Sequence, residues 1–338
     1  MIKICILTHH YKFSDKQTNI YYINKLLSDF GYEVDWVTYP VSLSIFRHRN
    51  HYKRKAWVKG LKRQLYLYSL LPKFLFKSKI LKALMFVIPS KIFNKNYDIL
   101  INEGLHGYYI CDLFKYKKLV IRMSDDIRYL DKFSDEELME EKIVKKANQI
   151  WAAHKITADK YDKATFLPNP AEQNNVLNES QRLNEVVYVG SNKIDTKLVY
   201  RIAASGIKVN LFTETQTVYH SNIIFHGLVN KKELVQRISK YKVGIIPFFQ
   251  DEHNKFMEMP LKTFDYVAAG LHIVMITSSQ IISNNIINVV DNYDDFLNVI
   301  NKCMLKSIDQ NMYLNFLKNN SMEKFSKEIY SLINKLNV

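Results

Sequence analysis

Cysteine is scarce in this chain of 338 residues, and its three copies have no metal-binding or disulfide spacing. Cys5, Cys111 and Cys303 lie far apart, and none belongs to a CxxC or CxxH pattern. The pattern therefore indicates neither a zinc site nor a disulfide framework. Such sparse cysteine usage favours a reducing compartment, the cytoplasm.

The sequence also lacks any run of about 18 apolar residues, so no segment is predicted to span a membrane. The apolar run Met1–Leu7 is too short for a secretory signal peptide and leads into His9 and His10. Disorder is not expected, because 47% of the residues are hydrophobic and 13% are aromatic, enough to build cores. The length favours two domains of middling size.

Acidic residues are missing from the most basic part of the chain. Between Arg47 and Lys95 there are fourteen Lys or Arg and no Asp or Glu, interleaved with aromatic side chains. Leu61–Ile88 alternates cationic and bulky apolar residues at helix-like spacing, which predicts an amphipathic helix on an anionic membrane surface. The residues expected to bind the membrane are Arg54, Lys55, Lys62 and Arg63.

Two other interpretations of the basic segment, residues 46–96, stay open. It could bind the phosphates of RNA or DNA, or it could be a solvated basic face. The formal net charge of +15 fits any anionic partner. No recognisable nucleic-acid-binding module occurs elsewhere, so nucleic acid is not expected as a partner.

Apolar runs of strand length alternate with helical patterns from the N-terminus onward. The order of strand Ile2–Thr8, helix Tyr21–Leu27 and strand Tyr32–Tyr39 predicts a parallel doubly wound α/β sheet. Ligands of such sheets bind at the carboxyl ends of the strands. The side chains expected at these ends are His9, His10, Glu103 and His106 as acceptor contacts, and the adjacent carboxylates Asp125 and Asp126.

A polar stretch, Glu172–Asn184, is typical of an interdomain linker, and a second strand–helix alternation follows it. The predicted domains are residues 1–171, which include the basic segment, and residues 185–315, followed by a C-terminal helix over 316–338. The first strand of the second domain, Glu185–Val189, leads into Gly190 and Ser191. These two residues are expected to contact a donor nucleotide.

The stretch Met259–Gly270, MPLKTFDYVAAG, predicts a loop, a short helix that ends at Gly270, and a turn into a buried strand. Lys262 and Asp265 are three residues apart, so both face one side of this helix near its N-terminal end. Lys262 and the helix amides would bind a diphosphate, and Asp265 could accept hydrogen bonds from ribose hydroxyls. The stretch therefore predicts a nucleotide-sugar site that also includes Met259 and Pro260.

MPLKTFDYVAAG resembles the P-x-K-x-x-E-Y-x-A-x-G segment in the C-terminal domain of GT-B-fold glycosyltransferases. The order of a strand, Ser124-Asp125-Asp126, an acidic helix, another strand and Pro168-Asn169-Pro170 resembles the N-terminal domain of some bacterial GT-B enzymes. That group includes the membrane-associated glucuronosyltransferase of xanthan assembly and related teichuronic-acid and polysaccharide enzymes.

The resemblance implies two Rossmann-like domains facing each other across a cleft, with the acceptor bound by the first and the donor by the second. The C-terminal helix is expected to cross back to the first domain. The donor would be a nucleotide sugar with uridine as the favoured base, and the acceptor would be lipid-linked at the cytoplasmic face of the membrane. An aspartate after the strand is the general base in that group, and this role falls on Asp125 or Asp126.

The chain departs from the commonest retaining family of this fold. Met257 stands where that family has the first of two glutamates, and Ser191 replaces the first of a basic pair, for which Lys193 or Lys197 could substitute. These differences favour inversion by direct displacement. No DxD motif stands in a donor-site context, so neither a metal nor a further cofactor is expected. A nucleic-acid-binding protein and a non-catalytic GT-B-like scaffold are the alternatives.

Overall fold

The computed structural model divides into two compact units, the first formed by Met1–Pro168 with Ser326–Val338 and the second by Asn169–Phe325. The structure describes residues 1–8, 19–42, 63–69, 86–87, 95–104, 110–124, 134–172, 175–177, 181–190, 194–248, 259–277 and 285–338. The predicted site residues outside these ranges are His9, His10, Arg54, Lys55, Lys62, His106, Asp125, Asp126 and Ser191.

The first unit is built on one sheet. Its described strands are β1 (Lys3–Thr8), β2 (Glu33–Ser42), β3 (Arg63–Ser69), β4 (Phe86–Val87), β5 (Asn96–Glu103), β6 (Lys115–Met123), β7 (Gln149–Ala152) and β8 (Ala164–Phe166). They lie in the order β4-β3-β2-β1-β5-β6-β7-β8. All neighbours are parallel except β3 and β4, which are antiparallel. The run β3-β2-β1-β5-β6-β7 is the Rossmann strand order, so the predicted doubly wound sheet is confirmed.

The described helices of this unit are α1 (Asn19–Asp29), a 3₁₀ turn (Cys111–Leu113), α2 (Ser134–Lys146) and α3 (Lys155–Ala158). The central strand β1 is apolar from Ile4 to Leu7, and each of these side chains is fully buried. A parallel strand covered on both faces requires such a continuous apolar run rather than an alternating one.

The structure corrects the helix expected over Leu61–Ile88. Arg63–Ser69 is β3, which pairs in parallel with β2, and Phe86–Val87 is β4. The reason lies in the period of the sequence R-Q-L-Y-L-Y-S, where leucines and tyrosines alternate every second residue as in a strand. The other residues of the predicted helix lie outside the described ranges.

The second unit contains a separate six-stranded parallel sheet. Its strands are β9 (Leu183–Val189), β10 (Val209–Phe212), β11 (Ile223–Phe225), β12 (Tyr241–Pro247), β13 (His272–Ile276) and β14 (Ile287–Val290). They lie in the order β11-β10-β9-β12-β13-β14, which again is the Rossmann order. The described helices are α4 (Thr196–Ala204), α5 (Lys231–Ile238), α6 (Lys262–Ala268), α7 (Tyr293–Met304), α8 (Gln310–Asn319) and the start of α9 (Met322–Asn334).

Helix α9 carries the chain from the second unit into the first, since the division falls between Phe325 and Ser326. Within the first unit, the ring of Tyr330 lies edge-on to Phe30 at a centroid distance of 5.3 Å. The side-chain amide of Gln149 donates to the carbonyl of Leu332 at 3.0 Å. The C-terminal residues are therefore packed as part of the first unit.

The helices in the described part of the chain include none that is both long enough and apolar enough to cross a membrane.

Candidate functional site

Each Rossmann sheet has one point at which the strand order reverses, and ligands of such sheets bind outside the carboxyl ends of the strands there. In the first unit this point lies between β1 and β5, which end at Thr8 and Glu103. In the second unit it lies between β9 and β12, which end at Val189 and Pro247. The polar side chains at these two points define the candidate sites.

Lys262 lies at the switch point of the second unit. Its ammonium donates a hydrogen bond to the hydroxyl of Tyr188 at 3.1 Å. It also lies over two aromatic rings, 4.1 Å from the centroid of Tyr188 and 4.9 Å from that of Phe248. Since Tyr188 belongs to β9 and Phe248 directly follows β12, a cation occupies the crevice where the fold places a ligand.

Helix α6 is held in this position by Tyr266, whose side chain is fully buried. The Tyr266 hydroxyl accepts a hydrogen bond from the backbone amide of Val189 at 3.0 Å. It lies 3.1 Å from the carbonyl of Ile245, to which it donates. These bonds tie one turn of α6 to both strands that flank the switch point, so they fix Lys262 four residues earlier.

Gly244 of β12 makes room for the Tyr266 ring, because a Cβ atom there would lie 2.5 Å from a ring carbon. We expect Gly244→Ala to lower the free energy of unfolding by about 3 kcal/mol through overpacking. The matched control is Gly206→Ala, where no heavy atom lies within 4 Å and the cost is the positive φ of +93° alone, about 1 kcal/mol. Urea denaturation of both variants measures the difference, and equal stabilities would contradict this packing.

The C-terminal end of α6 is anchored by Arg182. Its guanidinium donates to the carbonyl of Ala269 at 2.8 Å and to that of Leu177 at 2.9 Å. Gly270 has a φ of +69°, and a Cβ there would lie 2.6 Å from the same guanidinium. Arg182 and Leu177 belong to Glu172–Asn184, the stretch predicted to be a linker. This part of it packs onto the second unit, because Arg182 satisfies a carbonyl that the end of α6 leaves free.

Gly190, predicted as a donor contact, directly follows β9 and lies next to Lys262. Its backbone φ of +140° is a value that residues other than glycine rarely adopt. A Cβ atom at this position would lie 3.1 Å from the Lys262 ammonium and 3.3 Å from the Tyr188 hydroxyl. The structure thus brings together two residues of the predicted donor site, Gly190 and Lys262, and glycine leaves the space around the cation open.

The charge of Lys262 is tuned by its surroundings. Burial lowers the pKa of Lys262 from an ordinary value of 10.5 to about 7, while the carboxylate of Asp265 acts in the opposite direction and raises it. Asp265 is itself 7% exposed. A lysine whose pKa is lowered by burial at the ligand-binding end of a sheet is a candidate functional residue.

Met259 and Pro260, the other predicted donor residues, precede α6. Met259 is half-buried and packs against the core of the second unit. Pro260 is buried, and its carbonyl accepts a hydrogen bond from the amide of Thr263 at 2.9 Å. Both residues therefore stabilise the first turn of α6.

Glu103 lies at the switch point of the first unit with only 2% of its surface exposed. The hydroxyl of Thr8, at the end of β1, donates to one of its carboxylate oxygens at 2.5 Å. The hydroxyl of Ser124, which follows β6, donates to the other at 3.4 Å. A buried carboxylate thus joins the carboxyl ends of three adjacent strands.

Ser124 is the described residue of the Ser-Asp-Asp sequence, and the two aspartates after it lie outside the described ranges. The same holds for Ser191, His106 and the histidines that follow β1, whereas the backbone of Arg63 opens β3. Sequence reasoning missed Tyr188 and Phe248, which have the apolar neighbours of core residues. The available signal was their placement, since Tyr188 lies two residues before the glycine that follows its strand and Phe248 comes directly after a strand.

Among the residues that the structure describes, no group of three or more His, Cys, Asp or Glu is arranged to hold a metal ion.

The fold is similar to that of glycosyltransferases of known structure. TarM matches with a TM-score of 0.59 and 10% identity, over 99% of this chain and 98% of TarM. An alpha-glucosyltransferase in complex with UDP and a 13-mer DNA matches with a TM-score of 0.58 and 13% identity, over 98% and 99%. A T4 phage BGT mutant in complex with UDP-glucose matches with a TM-score of 0.53 and 12% identity, over 99% of each chain.

No model of a known protein family matches the sequence, and no curated protein matches it. Similarity at such low identity shows the fold, which is the GT-B fold with its two Rossmann-like domains.

Proposed function

We propose that this protein transfers a sugar from a nucleoside-diphosphate sugar to an acceptor, with the donor bound by the second unit. The proposal is supported by the Lys262 ammonium beside Gly190 at the switch point, the position at which doubly wound sheets in general bind their ligands. The GT-B fold supports it, since the similar structures are of glycosyltransferases, and two of them contain UDP or UDP-glucose.

Donor cleavage leaves negative charge on a diphosphate, and a positioned cation stabilises that charge. Lys262 supplies the cation, and a phosphate that binds beside it restores the full charge that burial weakens. The Asp265 carboxylate, on the same face of α6, accepts hydrogen bonds from the ribose hydroxyls. With a lysine at the leaving group, the proposed reaction runs without a metal ion.

The first unit binds the acceptor in this proposal. A sugar acceptor is a hydroxyl group, and attack by that hydroxyl needs a base to remove its proton. Asp125 or Asp126 is the proposed base, with inversion of the sugar by direct displacement. Glu103 is proposed as an acceptor contact, because it ends β5 at the switch point of this unit, where ligands of such sheets bind.

The proposed acceptor is lipid-linked, as in bacterial polysaccharide assembly, and the protein is proposed to work as a peripheral protein on the cytoplasmic face of the membrane. The support is the basic segment without acidic residues. The pyrophosphate of such an acceptor would add to the anionic charge that this segment meets.

Charge reversal tests the membrane proposal. We expect the fourfold Glu variant of Arg54, Lys55, Lys62 and Arg63 to lose binding to anionic vesicles by about 100-fold or more, because each basic residue near an anionic surface contributes about 1 kcal/mol. Co-sedimentation with vesicles containing phosphatidylserine measures it. The control carries the same charge change at exposed helical lysines: Lys142, Lys145, Lys302 and Lys318. Equal sedimentation of both variants would contradict the assignment.

Nucleic acid is the second candidate acceptor. The alpha-glucosyltransferase with the similar fold was solved with a 13-mer DNA, and the net charge of +15 suits a polyanion. If the wild type binds duplex DNA in a salt-dependent way and does not bind anionic vesicles at the same ionic strength, nucleic acid is favoured over a lipid as the acceptor.

The function itself is tested with nucleotides and their sugars. We expect UDP, compared with GDP, ADP and TMP, to raise the melting temperature, because a ligand that binds the folded state stabilises it. Release of UDP from UDP-sugars should depend on Lys262. A wild type that binds UDP but releases none from any UDP-sugar, with lipid extract or DNA present, would indicate a non-catalytic scaffold.

A further inference from the structure

Among the residues that the structure describes, the Lys262 ammonium is held by aromatic groups rather than by a carboxylate. It donates a hydrogen bond to the Tyr188 hydroxyl and lies against the faces of the Tyr188 and Phe248 rings. Tyr188 is fully buried and Phe248 is 8% exposed, so both rings are fixed by the core. The negative face of an aromatic ring attracts a cation, most strongly where water is excluded.

Aromatic contacts and an ion pair affect the binding of an anionic ligand differently. A carboxylate in contact with Lys262 would neutralise it, and an anionic ligand would then have to displace that carboxylate. Ring faces stabilise the ammonium without carrying a net charge, so an anion that binds the charged form has no carboxylate to displace. An aromatic environment therefore suits a lysine that must receive an anion.

We propose that Tyr188 and Phe248 are positioning residues, which hold the Lys262 ammonium beside Gly190 in the place where a nucleoside diphosphate binds. The inference rests on the proposed function and deepens it, since it assigns the residues that prepare the cation. Gly190 completes the arrangement, because any side chain there would meet the ammonium at 3.1 Å.

The charge state of Lys262 gives this proposal a signature that a purely structural role lacks. In the described part of the chain, the groups that act on the ammonium are the Tyr188 hydroxyl from β9, the uncharged Phe248 ring after β12, and Asp265 from its own helix, which Tyr266 follows in the sequence. Burial lowers the pKa of Lys262 to about 7, Asp265 raises it, and burial raises the pKa of Tyr266 well above its usual range. A bound diphosphate raises the pKa of Lys262 further, so binding above pH 7 takes up a proton.

UDP is the probe, and its affinity is measured by calorimetry between pH 7 and 8.5 in buffers of different ionisation enthalpy. For the wild type we expect proton uptake and an affinity that falls on the order of tenfold over this range. Tyr188→Leu and Phe248→Leu should bind UDP about tenfold more weakly at pH 7, with the pH dependence moved to lower pH, because an aliphatic neighbour favours the neutral amine.

Tyr188→Phe keeps the ring and its volume, so it serves as the conservative variant if the leucine variants fail to fold. It should lose about threefold in affinity and keep most of the wild-type pH profile, since only the hydrogen bond is removed. Tyr241→Phe is the matched control. It removes another buried hydroxyl of the same sheet, one that donates to Asn210 at 3.0 Å, and should bind UDP like the wild type.

The outcomes separate this inference from the function on which it rests. If the wild type binds UDP and Lys262→Ala does not, while the Tyr188 and Phe248 variants match the wild type in affinity and pH profile, the positioning role is overturned and the donor site stands. If the wild type binds none of UDP, GDP, ADP and TMP, the positioning role and the proposed function fall together.

Discussion

Replacing Lys262 with methionine should make the protein more stable and at the same time unable to respond to nucleotides. The ammonium is half-buried among aromatic rings, and its lowered pKa of about 7 records the cost of charging it there. Each unit of pKa depression costs about 1.4 kcal/mol, a figure that solvent screening reduces. We expect the methionine variant to gain about 1–3 kcal/mol at pH 7, or roughly 2–8 °C in melting temperature.

The gain should depend on pH in a defined direction. The unfolded chain holds the Lys262 proton up to about pH 10.5, whereas the folded chain releases it near pH 7. Between these values the unfolded state binds more protons, so the stability of the wild type rises with pH. The advantage of Lys262→Met is therefore complete below about pH 7 and shrinks as the pH rises towards 10.5.

Differential scanning calorimetry with and without UDP measures both effects. Lys240→Met is the matched control, because Lys240 also lies over a tyrosine ring, 5.2 Å from the Tyr241 centroid, but is exposed. The control should shift the melting temperature by less than about 2 °C. It should respond to UDP as the wild type does. A Lys262→Met protein that is destabilised and still stabilised by UDP would show that Lys262 is a structural residue.

Substitution of the base should give the largest loss of activity. Asp125→Asn or Asp126→Asn removes the proton acceptor for the attacking hydroxyl, so one of the two should reduce sugar transfer by about 10²–10⁴-fold. The affinity for UDP should stay at the wild-type value, because the proposed donor site lies in the second unit. Transfer and UDP titration are measured on the same preparations.

The control for this experiment is Asp112→Asn in the first unit. Asp112 is an exposed aspartate paired with Lys146 at 2.8 Å, and exposed pairs contribute little. It should transfer sugar at the wild-type rate. Full activity in both Asp125→Asn and Asp126→Asn would refute the assignment of the base to this sequence.

Regular elements with a clear hydrophobic period could be predicted from the sequence. The helix at Lys262–Ala268 and its end at Gly270 follow from one segment, in which local capping and apolar spacing agree. The strand β3 was missed because its cationic flanks and bulky apolar residues also fit a helix. Its pairing with β2 agrees with the two-residue alternation of leucine and tyrosine inside the strand.

The candidate site was predicted in part for a comparable reason. Lys262 and Gly190 belong to recognisable segments, but the sequence does not show that they meet, since 71 intervening residues separate them. That contact depends on Tyr266, which hydrogen-bonds to the strands on both sides of the switch point. Buried aromatic residues such as Tyr188 look alike in a sequence whether they fill a core or hold a functional lysine.

A crystal structure of the protein grown with saturating UDP would show directly where the nucleotide binds. We expect a diphosphate within hydrogen-bond distance of Lys262 Nζ, about 2.7–3.2 Å, next to Gly190 and with the ribose near Asp265. A nucleotide bound elsewhere, with the Lys262 ammonium still seated on Tyr188 and Phe248, would contradict this expectation.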